Sequence, residues 1–333
     1  MFQKQVIMRR VLISLAPIFL FSIYLYGWRV PVLVGVVFLF GILTEFVMER
    51  TRKKKVSEAV LVTCALFALS LPPVTPIWVA IVGIVFAVFL GKEVFGGFGR
   101  NVFNPAITGR AFVYISFPTL LQTTWMVPGS FGTLGINGVD GVSAATPLEI
   151  LRGTGEGQVE WLDLLLGVRA GSIGESSILL IVIAAIYLIA TKTANWKLIV
   201  STAGTAAAFS ALFYFTGIID VPPHLYMMSG SIMYVAVFMS TDPVSAPNKP
   251  ISQWVYGFII GGVSMLVRTF SGFPEGTTFG ILMGNVFASL LDELFPKAKK
   301  KKAKAKAPVK KTAADSSGAK NASGAPAAER KGA

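Results

Sequence analysis

Long apolar runs separated by short polar connections set the pattern of this chain. The runs cover roughly 11–28, 31–48, 57–71, 76–91, 104–121, 176–190, 197–216, 225–240, 253–267 and 277–295. They do not alternate apolar with polar positions, so the pattern predicts helices rather than barrel strands. A helix needs about 20 apolar residues to cross a hydrocarbon core of roughly 30 Å, and most of the runs approach that length. The expected fold is an all-α polytopic membrane protein with about ten transmembrane helices. Two of these, the third and the eighth, are short or broken, interrupted by LPPVTP at 71–76 and PPHLYMMSGS at 222–231.

Ten spans divide into two sets of five, and an odd number per set makes the two sets inverted relative to each other. The expected organisation is a first five-helix repeat over 1–121, a polar connection over 122–175, a second five-helix repeat over 176–296 and a basic tail over 297–333. A faint echo agrees: GRNVFNPAI at 99–107 begins the fifth span, and MGNVFASLL at 283–291 lies in the tenth. Unless the interrupted helices are merely short, their matched positions present backbone N–H or C=O ends at membrane depth, where a polar ligand or an ion is held.

Composition supports the membrane reading, with 53% hydrophobic and 14% charged residues and a mean hydropathy of +0.66. The first run, VLISLAPIFLFSIYLYGW, has no small-residue cleavage site after it and leads at once into another span, so a retained helix is expected. The net charge of +13 does not point to nucleic acid, because twelve of the 30 Lys and Arg lie after Phe295 in a low-complexity tail. That tail is expected to be disordered and to touch anionic lipid headgroups. Cys64 and His224 each stand alone, which leaves little for a disulfide, a multi-Cys metal site or a Ser/His/Asp triad.

Charge also orients the chain. With the N-terminus inside, the inner connections hold thirteen Lys and Arg before the tail, and the outer ones hold four, Arg29, Arg152, Arg169 and Arg268. The positive-inside rule then puts both termini in the cytoplasm and the 122–175 connection outside.

Two stretches and a few single charged residues carry candidate chemistry. GKEVFGGFGRNVFNPAITGRAF at 91–112 combines a glycine-rich turn with Asn101 and with Asn104–Pro105, which suit an N-cap and a first helical position. Such a cradle can hold a phosphate or a polar ring, although it is neither a Walker loop nor a dinucleotide fingerprint. Arg110, inside the fifth span, is costly there and is expected to pair with a carboxylate or to line a polar cavity. Glu45, Glu93, Asp242 and Asp292 lie toward the inner ends of their spans, where they reach headgroup water, pair with neighbouring Lys and Arg, or line a Na⁺ or H⁺ path. DGVSAATPL at 140–148 offers Asp140, Ser143 and Thr146 in the external connection, ahead of the short amphipathic helix PLEILRG. No general base is expected beside Thr146, so a nucleophilic enzyme is not, but another enzyme can modify the hydroxyl.

Together these stretches, with GSIGESS at 171–177, FMSTDPVSAP at 238–247 and GFPEGTTFGILMGNVFASLLDELF at 272–295, resemble a family of membrane proteins. It includes the RnfD component of the Rnf electron transport complex and the NqrB component of the Na⁺-translocating NADH:quinone reductase. The resemblance runs from about residue 8 to 296. It implies FMN attached through its phosphate, by a separate flavin transferase, to the threonine of a D-x-x-S-G/A-A-T pattern. Here that pattern reads Asp140-Gly-Val-Ser143-Ala144-Ala145-Thr146, with Ala144 where Gly is commoner, and makes Thr146 the attachment point.

The resemblance further implies a multi-pass subunit of an ion-translocating oxidoreductase complex in the bacterial cytoplasmic (inner) membrane. Such a subunit passes electrons between flavins of partner subunits, one of them a second FMN-bearing subunit, and is not active alone. Glu45, Asp242 and Asp292 become candidates for the ion path, and Asn101, Asn104 and Arg110 for a second, noncovalent flavin such as riboflavin. The short segment before the first span favours the Rnf type, while GKEVFGGFGRN is closer to the quinone reductase form; the Rnf type is expected. Readings of other classes are a channel or carrier without a redox role and a structural scaffold.

Overall fold

Asn104 and Pro105 do at their helix what the sequence predicts. In the computed structural model, the Asn104 side chain accepts hydrogen bonds from the backbone N–H groups of Ala106 and Ile107, at 3.0 and 3.4 Å, and Pro105 takes the first helical position. The structure describes residues 2–122, 125–126, 128–129, 145–155, 157–271 and 276–295. The tail reading and the placement of Asp140 and Ser143 fall outside them.

The helices in chain order are α1 (Val6–Tyr26), α2 (Arg29–Thr51), α3 (Ala59–Leu69), α4 (Ile77–Val88), α5 (Pro105–Ser116), α6 (Pro118–Gln122), α7 (Pro147–Leu151), α8 (Trp161–Leu166), α9 (Ile178–Ala190), α10 (Trp196–Phe215), α11 (Pro223–Met228), α12 (Ile232–Tyr234), α13 (Pro250–Phe270) and α14 (Gly276–Leu294). Among the described residues two π-helical turns extend this set, Phe89–Glu93 after α4 and Val235–Met239 after α12. Two-residue strands β1 (Phe2–Gln3) and β2 (Val56–Ser57) pair in parallel. Among the described residues four helices, α1, α2, α10 and α13, are long and apolar enough to cross a membrane. Their outward side chains include Leu20, Leu39, Phe215 and Phe258, the apolar face that lipid tails would cover. The protein is a helical membrane-embedded chain.

Burial separates the inner helices from the outer ones. In α3 every residue but Leu61 is buried, so it is apolar all round and sits at the centre of the core against α1, α2, α4 and α5. With water absent there, the carbonyls at its C-terminal end need internal partners. Leu69 and Leu71 accept hydrogen bonds from the N–H groups of Gly174 and Ile173, at 2.6 and 3.0 Å. Leu66 accepts one from the Tyr234 hydroxyl of α12 at 3.4 Å. The two interrupted helices thus meet, the second donating to the first.

Close helix approach does the rest. A Cβ added at Gly261 on α13 would lie 2.6 Å from the Thr202 carbonyl of α10, and one at Gly280 on α14 would lie 2.7 Å from the Ile260 carbonyl. Side chains at these points would push α10, α13 and α14 apart, the usual reason for small residues between membrane helices. From the other half, α1 reaches across through Ser22, whose hydroxyl donates to the Ile173 carbonyl at 2.6 Å, and Tyr26, whose hydroxyl donates to the Arg169 carbonyl at 3.0 Å.

Candidate functional site

Thr146 is the N-cap of α7. Its hydroxyl donates to Glu149 Oε2 at 2.8 Å, its backbone N–H donates to the same oxygen at 2.7 Å, and the Glu149 N–H donates back to Thr146 Oγ1 at 3.3 Å. This is a complete capping box. It corrects the expectation that no general base stands beside Thr146: Glu149 lies one helical turn on, and folding the PLEIL segment brings its carboxylate to the hydroxyl. Ala145 is half-buried beside Thr146 and close to Gly155.

Thr146 and Glu149 line different cavities. Thr146 lines a small one of about 30 Å³ with Trp125, Arg169, Glu175, Ser231 and Arg268. Glu149 lines a larger cleft of about 610 Å³ with Arg152, Ile218, Val221, Tyr226 and Phe270. Arg169 and Arg268 are 5% and 1% exposed, so at the first cavity positive charge is held away from water.

Both arginines are fixed by backbone carbonyls around the end of α11. Arg169 donates to the carbonyls of Met228, Glu175 and Ser176, at 2.7, 2.6 and 3.1 Å. Arg268 donates to those of Tyr226 and Ser229, both at 3.0 Å, and its guanidinium lies 5.6 Å from the centre of the Tyr226 ring. Burial pulls the Arg169 guanidinium below its ordinary pKa, and nearby Glu175 partly restores it; arginine keeps its proton under either influence. Gly230, in the left-handed region at φ +65°, lets the chain turn beside Arg268. Sequence reasoning counted Arg169 and Arg268 only as loop charges. Their position at the ends of apolar runs is the signal that could have singled them out.

A second constellation gathers around Glu45. Glu45 on α2 is buried and accepts from the Ser57 N–H and hydroxyl at 2.8 and 2.7 Å and from Lys92 Nζ at 2.5 Å. Arg52 meets the Glu93 carboxylate at 2.6 Å and also the Glu93 carbonyl. Lys92 and Glu93 sit in the first π turn, the kind of irregularity that often aims side chains into a site. Glu45 and Glu93 therefore pair with cations, one of the outcomes that sequence left open.

Lys92 also lines a cavity of about 60 Å³ with Asn101, Asn104, Thr63, Phe238 and Asp242. The structure thus brings together Asn101, Asn104 and Asp242, predicted from separate arguments. Asn101 donates to the Phe103 carbonyl at 2.9 Å, and Asp242 accepts from the Ser245 hydroxyl at 2.7 Å. Arg110 is fully buried on α5 with its guanidinium 5.4 Å from the centre of the Tyr114 ring. Asp292 does not line the cavity; it accepts from the N–H groups of Asn248 and Lys249, at 2.8 and 3.1 Å, where α13 begins.

Comparison with known proteins gives one family. A family model described as NQR2, RnfD, RnfE matches residues 2–301. The chain is 35% identical over 277 residues to the B subunit of the Na(+)-translocating NADH-quinone reductase of Azotobacter vinelandii, a match that covers 79% of this chain and 66% of that protein. It is 36% identical over 304 residues to the protein of the same name from Yersinia pestis, with coverage of 84% and 71%. To that of Pseudomonas aeruginosa it is 36% identical over 272 residues, with coverage of 78% and 65%. The chain spans just under two thirds of the length of the first and third of these relatives.

Proposed function

The chain belongs to the NQR2, RnfD, RnfE family, and from that membership we propose that it is a membrane subunit of an ion-translocating electron-transfer complex carrying FMN as a phosphoester on Thr146. The observation that carries this reading is the Thr146 hydroxyl, which ends the DGVSAAT pattern and shares a cavity with the buried Arg169 and Arg268. A phosphodiester attached there would bring one negative charge into a cavity lined by two arginines and one glutamate, Glu175, so the added charge finds a cation in excess.

The residues fit the group. Thr146 would hold the phosphate, Arg169 and Arg268 would face its charge, and the cleft lined by Ile218, Val221, Tyr226 and Phe270 would take the flavin ring. When bound, the flavin supplies the electron chemistry, and the chain holds and tunes it. Attachment keeps a carrier on the outer aqueous side from diffusing away.

Of the two complex types, the names of the relatives favour the NqrB component of a Na⁺-translocating NADH:quinone reductase over the Rnf type that the sequence alone favours. Partners are then the other subunits, one bearing a second FMN, together with a flavin transferase. The reading includes ten spans in two inverted repeats, a bacterial inner-membrane location, cytoplasmic termini and an external 122–175 connection. The fall of all ten apolar runs on helical segments supports the first of these. A second, noncovalent flavin such as riboflavin stays an expectation for Asn101, Asn104 and Arg110: the cavity beside Lys92, Asn101, Asn104 and Asp242, at about 60 Å³, is too small for it without rearrangement, and Arg110 does not line it. Glu45, Asp242 and Asp292 remain the ion-path candidates.

The test is in-gel ultraviolet fluorescence of the denatured protein, wild type beside Thr146→Ala, both made with a flavin transferase. A fluorescent wild-type band absent from the mutant is expected. A dark wild-type band, with a control substrate labelled by the same transferase, would favour a channel or carrier without a redox role.

A further inference from the structure

Thr146 and Glu149 are arranged so that one carboxylate oxygen, Glu149 Oε2, accepts from both the hydroxyl and the N–H of Thr146. A capping box needs only the second of these together with the return bond from the Glu149 N–H to Thr146 Oγ1. The hydroxyl proton, which could have turned toward solvent or a carbonyl, points at an acceptor able to take it. Glu149 also lines the 610 Å³ cleft, whereas Thr146 lines the smaller cavity, so the residue that would take the proton is open to a large substrate.

We propose that Glu149 is the proton acceptor for covalent modification of Thr146, a role that rests on the reading of Thr146 as the flavin anchor. A free phosphate monoester does not esterify a hydroxyl unaided, so the donor belongs to the class of flavin nucleotides whose phosphate is activated as a phosphoanhydride. In the step, Thr146 Oγ1 forms a bond to the flavin-side phosphorus and the phosphoanhydride P–O bond breaks. The second nucleotide half leaves as its phosphate with the bonding electron pair. The Oγ1 proton passes to Glu149 Oε2, 2.8 Å away, and nothing is oxidised or reduced.

The cations complete the arrangement. Arg169 and Arg268 line the Thr146 cavity together with Glu175, so the cavity offers two cations where negative charge gathers on the phosphorus. Acid–base assistance of this kind is worth about 10²–10⁴ in rate.

The capping box itself supplies the test. Glutamine serves at the third helical position as glutamate does, so Glu149→Gln keeps the cap and removes the base. Full-length wild type, E149Q and T146A would be followed by in-gel fluorescence over time with a fixed amount of flavin transferase and flavin dinucleotide, and with melting temperatures recorded alongside. The expected result is that E149Q melts with the wild type but labels at least about 100-fold more slowly. An E149Q rate equal to the wild type would overturn the proposal. If E149Q labels slowly but also melts below the wild type, Glu149→Ala with and without added formate decides within one variant: labelling restored by formate and not by chloride supports it, and labelling that formate leaves unchanged overturns it. A wild type that never labels would instead defeat the reading of Thr146 as the anchor.

Discussion

Lys92 Nζ lies 2.5 Å from Glu45 Oε2, with the two side chains only 2% and 1% exposed. Ser57 bridges them, since Lys92 Nζ donates to its hydroxyl at 2.8 Å and that hydroxyl donates to Glu45 Oε1. Taking two charges out of water costs several kcal/mol per ion, and their attraction offsets this only while both are present.

Removing one partner is therefore the damaging change. Lys92→Met should destabilise the protein by about 3–5 kcal/mol, the usual consequence of leaving a buried carboxylate without its cation. The double variant Lys92→Met with Glu45→Gln should recover most of that. Thermal unfolding of the four proteins in detergent closes the cycle. A Lys92→Met protein that melts with the wild type would mean that the pair contributes nothing to folding.

Gly230 and Gly204 make a matched pair for testing the Thr146 site. At Gly230, with φ +65°, a Cβ would stand 2.8 Å from Arg268 Nη2, whereas at Gly204 in α10 nothing lies within 4 Å. The left-handed conformation alone costs a non-glycine residue roughly 1–2 kcal/mol, and the guanidinium must also move away from the Tyr226 and Ser229 carbonyls. Gly230→Ala should lower the melting temperature and slow covalent labelling of Thr146. Gly204→Ala should hold or raise the melting temperature, since alanine favours a helix interior by about 0.5–1 kcal/mol. Equal melting temperatures for the two variants would show that Arg268 is not fixed by this turn.

The places where sequence was informative and where it was silent have physical causes. Apolar runs and caps are local, so the helices and the Asn104–Pro105 start could be read directly. Thr146 emerged from a seven-residue pattern, and its neighbour Glu149 was within reach too, because Thr-x-x-Glu is itself a capping-box signature. The pairing of Lys92 with Glu45 joins residues 47 apart, and the seating of Arg268 on Tyr226 and Ser229 joins residues about 40 apart. Neither leaves a periodic trace. The π turns were invisible as well, since a single inserted residue in a helix changes hydrogen bonding without changing composition.

The Arg9–Glu58 pair predicts a pH dependence. Arg9 reaches Glu58 at 2.5 Å while the Gln5 N–H donates to the same carboxylate at 2.6 Å, and the hydrogen bonds from Arg9 above all hold Glu58 below its ordinary pKa. A carboxylate depressed in the folded state contributes stability above its unfolded value, and loses it as pH falls through the folded one. The effect is small, because Arg9 is half exposed and salt screens it. Melting temperatures of wild type and Glu58→Gln should therefore differ at pH 7 and converge as pH falls below the carboxylate range. Parallel curves across that range would show that the pair contributes nothing to folding.

Asp292 tests the ion path against a plainer role. Its two oxygens accept from Asn248 and Lys249, and Ser252 of the same first turn of α13 donates to the Leu291 carbonyl at 2.9 Å. These bonds pin the connection that carries Asp242 to the end of α14. Asparagine offers one carbonyl oxygen where aspartate offers two carboxylate oxygens, so as a cap Asp292→Asn should cost only about 1 kcal/mol. An ion path needs the charge itself, since a hard cation is held by carboxylate oxygen. In the assembled complex in proteoliposomes, a purely capping Asp292 predicts that the variant transports Na⁺ and transfers electrons like the wild type with a slightly lower melting temperature. Loss of ion transport in a variant that melts within a few degrees of the wild type and still holds its flavin would instead assign the charge of Asp292 to the path.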